Sequence, residues 1–162
     1  MKIFALFLIL LLPQLGFANP VALVEDLQQD AEQARLAGKP VVVIYTASYC
    51  HYCEAVKSEF FNHMARDNAY NDRIVLREVI IDSSRGMKGF DGKQQNYGGF
   101  ASEQGVYLVP TVGFYDSNGR TVAESIVGVA TLDYYGWYLD KRIETAERAV
   151  NKDEPKAVAD NN

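Results

Sequence analysis

Cys50-His51-Tyr52-Cys53 holds the only two cysteines of the 162 residues, and it stands where a β-branched run, Val41 to Thr46, gives way to a helix-like one. Two thiols separated by two residues at a helix start can close a small disulfide and reopen it. A helix N-terminus concentrates partial positive charge, so the Cys50 thiol should ionise more easily than a free cysteine and become the attacking thiolate. The pattern points first to redox chemistry. A static disulfide is a weaker reading, because a four-residue ring constrains few unfolded conformations. A zinc site needs four ligands, and only His51 and His63 stand beside the cysteines, so no metal is expected. A copper carrier has no methionine cluster to support it, which leaves a redox-silent binding module as the remaining alternative.

The amino terminus bears on compartment. Lys2 is followed by an unbroken apolar run from Ile3 to Leu12, then Pro13 and the small residues Gly16 and Ala18. This is the pattern of a secretory signal peptide over residues 1–18, cleaved near Ala18. The run is too short to span a bilayer, which takes roughly 20 apolar residues. No cysteine follows it to carry a lipid, and no later segment is long and apolar enough to cross a membrane. Residues 19–150 are then expected to form one domain, and 151–162 a polar, frayed tail. Export to an oxidising compartment such as the periplasm lets disulfides persist. The formal net charge of −5, with no basic cluster, argues against nucleic acid as a partner.

Periodicity organises the rest. Val24, Leu27, Ala31 and Ala34 recur at helical spacing up to Leu36, and Gly38-Lys39-Pro40 stops the pattern. Val41–Thr46 shows no alternation, as in a central strand covered on both faces. From Cys50 to about Asn71 an amphipathic helix is expected, carrying Cys53, Val56, Phe60, Phe61 and Met64 inward. Ile74 to Ile81 reads as a second strand. Residues 82 to about 99, rich in glycine and without period, read as a loop, and Phe100–Gln104 as a short helix. Two strands, Thr111–Tyr115 and Thr121–Val127, flank Asp116-Ser117-Asn118-Gly119 as a β-hairpin. A last helix, Leu132 to Arg148, points Leu132, Tyr135, Leu139, Ile143 and Ala146 inward and leaves Tyr134, Trp137 and Tyr138 partly exposed. A crossover helix makes the first two strands parallel and the hairpin adds antiparallel ones. The fold class is α/β, a central mixed β-sheet flanked by helices on both faces.

The strand running into Cys50-x-x-Cys53, the Val109-Pro110-Thr111 tripeptide before the hairpin, and the terminal helix, in that order over about residues 21–148, resemble a thioredoxin-fold protein. The leader, the insertion after the second strand and Asp116-x-Asn118-Gly119 are most similar to SoxW-type and other periplasmic thioredoxin-like proteins. The resemblance implies a thiol-disulfide oxidoreductase with Cys50 as nucleophile, Cys53 as resolving thiol and no cofactor beyond their disulfide. It also implies a cis Pro110 against the disulfide, with Val109, Pro110 and Thr111 forming the substrate surface. Expected partners are protein thiols and disulfides and a membrane electron donor or oxidant for regeneration. With no dimerisation segment recognisable, a monomer and the reductase direction are favoured over a Dsb-type dithiol oxidase.

Departures from that family are informative. Tyr49 stands for its tryptophan and His51-Tyr52 for its Gly-Pro, so His51 is expected to tune Cys50 while Tyr49 and Tyr52 frame the site apolarly. Ile44 replaces the buried aspartate that serves as base, and Glu78 falls near a family lysine, where a surface glutamate is expected.

Overall fold

The computed structural model describes residues 21–152. The segment read as a signal peptide lies outside them, as does the tail beyond Lys152.

Val41–Thr46 forms β1, buried along its whole length, as its unalternating sequence requires. It pairs in parallel with β2 (Val75–Ile80) and antiparallel with β5 (Thr111–Tyr115), which in turn pairs with β6 (Thr121–Val127). The sheet order is β2-β1-β5-β6, and in its register Ile44 lies between Glu78 and Val112. Helix α1 (Leu27–Leu36) starts one residue after its N-cap, Asp26, whose carboxylate accepts the Gln29 amide at 3.0 Å. Val24, expected to begin that helix, is extended instead: its amide and the Ala22 carbonyl bond the two backbone groups of Glu78, so residues 22–24 run along the outer edge of β2.

Helix α2 begins at His51–Val56 and continues through a π-helical stretch, Lys57–Phe61, to a last turn, Asn62–Met64. It is shorter than its apolar pattern predicts. Asp67 caps a separate turn, α3 (Asn68–Asn71), by accepting the Ala69 amide, because an aspartate bonding forward competes with helix continuation.

The stretch read as a loop holds a small hairpin, β3 (Gly86–Lys88) with β4 (Gln94–Asn96), followed by α4 (Tyr97–Glu103). Three-residue strands are too short to show alternation, which hid them. The Asn96 carboxamide caps α4 through the Gly99 amide at 2.7 Å, so that helix begins three residues earlier than expected. The final helix, α5 (Leu132–Lys152), outruns its expected end at Arg148 and takes in the first two residues of the assumed tail.

Two cores result. On one face Val42 and Ile44 of β1 meet Val56 and Phe61 of α2 and Leu139 and Ile143 of α5. On the other, Val43 and Tyr45 meet Leu27 of α1, Phe100 of α4 and Met87 of β3. Each fully buried large apolar side chain contributes about 1.5–3 kcal/mol. The hairpin thus covers the second core, where Phe90 packs on Tyr115 and Phe100. At the β5–β6 turn Asp116 accepts the Asn118 and Arg120 amides, and Gly119, at φ +75°, supplies the left-handed backbone that Phe90 packs against.

Candidate active site

Three loops meet at one end of the sheet. Thr46 ends β1 and leads into Ala47–Cys50; Thr111, opposite Tyr45, begins β5 just after Pro110; and Val127, opposite Thr111, ends β6. The Gly128 amide ties the third loop to the second by donating to the Pro110 carbonyl at 2.8 Å.

Cys50 and Cys53 are joined as a disulfide, their Cα atoms 5.2 Å apart. Cys50 is the N-cap of α2, partly exposed, and its sulfur accepts the Cys53 amide at 3.1 Å. Cys53 is fully buried beneath it. The two sulfurs are therefore unequal: one faces solvent and the N-terminal amides of a helix, and the other faces the core. His51, Tyr49 and Tyr52 are all exposed around them. The Val109–Pro110 peptide bond is cis; Pro110 and Thr111 are buried and Val109 is half-buried.

Glu78 overturns the expectation of a surface glutamate. It is 0% exposed and receives the Thr46 hydroxyl at 2.7 Å and the Lys57 ammonium at 3.0 Å on the same carboxylate oxygen. Lys57, buried at the start of the π-helical stretch, also lies 3.6 Å from Glu54. It stands four residues after Cys53, so the two share one face of the helix, directly over the sheet face that carries Glu78. Buried charges require partners, and this cluster supplies them. The signal was present in Arg77-Glu78: on a strand buried from both sides one of two adjacent charges must point into each face. Arg77 takes the α1 face, where it binds Asp30, and Glu78 the α2 face.

A second group was missed. Asp82, just beyond β2, accepts the Ser48 amide through both carboxylate oxygens, at 3.1 and 3.2 Å, and also the Ser48 hydroxyl. These bonds, the hydroxyl one first, hold its carboxyl below the usual carboxylate range and fix the chain two residues ahead of Cys50. A polar pair 34 residues apart leaves no mark in local periodicity.

The family model described as a thioredoxin-like domain matches residues 27–143, and the chain belongs to that family. Among solved structures it is similar to thioredoxin O2 from Arabidopsis thaliana in its oxidised state, with 20% identity and a TM-score of 0.51 over 76% of this chain and 96% of that one. It is likewise similar to the DsbH oxidoreductase, with 15% identity and a TM-score of 0.55 over 76% and 85%. At such identities the likeness is one of fold. Anterior gradient protein 3 of Mus musculus is 34% identical over 62 residues, spanning 38% of this chain and 38% of that protein's length.

The chain is thus a thioredoxin-like protein with a Cys-x-x-Cys disulfide at the expected end of its sheet. Among the described residues no helix is long and apolar enough to cross a membrane.

Proposed function

We propose that this protein is a periplasmic thiol-disulfide oxidoreductase that reduces disulfides in partner proteins. The observation that carries the reading is the inequality of the two sulfurs: Cys50 can be reached by a substrate and Cys53 cannot. With both cysteines reduced, the Cys50 thiolate attacks one sulfur of a partner disulfide, forming a mixed disulfide and expelling the other partner sulfur as a thiolate. Cys53 then loses its proton and attacks the Cys50 sulfur, releasing the second partner thiol and restoring the Cys50–Cys53 disulfide. Two electrons pass from the protein to the partner, and a dithiol donor at the membrane returns them. Amides at the start of α2 stabilise the Cys50 thiolate. The Glu78 carboxylate, held by Lys57 and Thr46 on the face below Cys53, is the group that receives the Cys53 proton. Export rests on the apolar run Ile3–Leu12.

Insulin reduction by the full-length mature protein tests the reading. Cys50→Ser should abolish turnover, and Cys53→Ser should trap mixed disulfides. Turnover that survives Cys50→Ser would leave a binding module in place of an enzyme.

A further inference from the structure

Helix α5 turns Tyr135, Leu139, Ile143 and Ala146 into the core and leaves the opposite side uncovered. At 3.6 residues per turn that outer side is a single stripe with two unlike halves. The half that begins next to the end of β6 is aromatic, with Tyr134, Trp137 and Tyr138. The far half is cationic, with Lys141, Arg148 and Lys152, and no Asp or Glu lies on the line of the stripe. Tyr134 is 64% exposed, Trp137 58% and Tyr138 51%. The Trp137 and Tyr138 rings meet edge to face with centroids 5.0 Å apart, so each braces the other and the patch is preformed.

A lone exposed ring needs no explanation, but three contiguous ones on a helix form a contact surface. The order of groups along the stripe selects what covers it. A helix that lies on a bilayer carries its cations on the side opposite its apolar groups, whereas here rings and cations share one side. A second copy of α5 laid antiparallel fits both halves at once, its cationic half on the aromatic half of the first and the reverse, about one two-fold axis. We propose that the protein forms a reversible homodimer through α5, in place of the monomer favoured by the sequence, with Arg148 of each copy over Tyr134 of the other. Both residues stand seven positions from Lys141, so this pairing sets the axis there. A cation held over an aromatic face gains most where water is excluded, and the symmetry supplies the contact twice. The two Lys141 ammonium groups that approach at the axis are each neutralised by their own Glu144, at 2.9 Å. Helix α5 has 21 residues, a face roughly 30 Å long at 1.5 Å per residue. One such face makes a contact at the small end of protein interfaces, as a reversible dimer requires. Because α5 starts at the disulfide end, the antiparallel arrangement points the two disulfides away from each other and leaves both open.

Trp137 is the only tryptophan of the chain, so its fluorescence reports on this stripe alone. The test follows the mature protein by analytical ultracentrifugation and by Trp137 emission from about 1 μM to about 1 mM, the range in which a small interface associates. The average mass should rise from one chain toward two, and the emission should move to shorter wavelength over the same range. Arg148→Glu and Tyr134→Ser should each weaken association at least tenfold, because each removes a contact that occurs twice. Both variants should keep the wild-type circular dichroism and the wild-type rate of insulin reduction at about 1 μM, where every form is a monomer. A single-chain mass throughout the range overturns the proposal. So does a dimer that forms equally well in both variants, since its contact lies elsewhere. Vesicles of phosphatidylethanolamine and phosphatidylglycerol that shift Trp137 emission while the protein stays monomeric would assign the stripe to a membrane surface and overturn the dimer. Failure of insulin reduction in the wild type counts against the oxidoreductase reading and leaves the mass measurement untouched.

Discussion

The Lys57 ammonium and the Glu78 carboxylate form an ion pair at 3.0 Å between the resolving-cysteine helix and the sheet, with Glu78 closed to solvent and the Lys57 side chain 11% exposed. Such a pair depends on both members. Lys57→Met should strand a buried carboxylate and lower unfolding stability by about 3 kcal/mol, while adding Glu78→Leu should recover most of that loss. Chemical denaturation of the single and double variants checks this.

Glu78→Gln keeps an acceptor for the Thr46 hydroxyl but removes the base. Formation of the mixed disulfide at Cys50 should proceed at the wild-type rate, and its resolution by Cys53 should slow by roughly a hundredfold at neutral pH. Quenched-flow trapping of the mixed disulfide separates the two steps, and unchanged resolution would remove Glu78 from the mechanism.

The Ser48–Asp82 contacts have a pH signature. The Asp82 carboxyl is held low in the folded protein, chiefly by the Ser48 hydroxyl and then by its amide. A lowered carboxyl contributes fully above the ordinary carboxylate value, near 3.9, and is lost as pH falls through its lower folded value. The Ser48 amide resonance should therefore hold steady on acidification past that ordinary value and shift only below it. In Asp82→Ala it should be displaced at every pH.

Burial raises the phenols of Tyr45, Tyr115 and Tyr135 above their usual range. Their neutral forms are favoured in the folded state, so their contribution is complete below about pH 10, the unfolded value, and is lost as pH rises beyond it. Melting temperature should fall steeply above that point, and less steeply when Tyr135 is replaced by Phe.

The Tyr135 hydroxyl is buried with no hydrogen-bond partner among the described residues, against Phe60 and Phe61. Removing an unpaired buried hydroxyl relieves a desolvation cost, so Tyr135→Phe should raise stability at neutral pH by about 1 kcal/mol. Thermal or denaturant unfolding at pH 7 measures it.

Much of this architecture is legible in the sequence. The strands Val41–Thr46, Thr111–Tyr115 and Thr121–Val127 have the expected bounds, because the β-branched run of the first and the Asp-Ser-Asn-Gly turn between the other two mark their limits. The Cys50–Cys53 site followed from spacing at a strand-to-helix junction. The polar cluster beneath it did not, since Glu78, Lys57 and Thr46 meet only through the pairing of β1 with β2 and the packing of α2. The β3–β4 hairpin was hidden by the brevity of its strands, and the break after Met64 by an Asp67 cap that looks like any surface aspartate.

Residues 22–24 have a consequence apart from catalysis. By taking up both backbone groups of Glu78, they occupy the outer rim of β2, the strand that would otherwise lie open at that side of the sheet. An open rim is a template for stray strands. Residues 22–24 keep that side occupied, so an incoming strand is denied self-propagating pairing at Glu78.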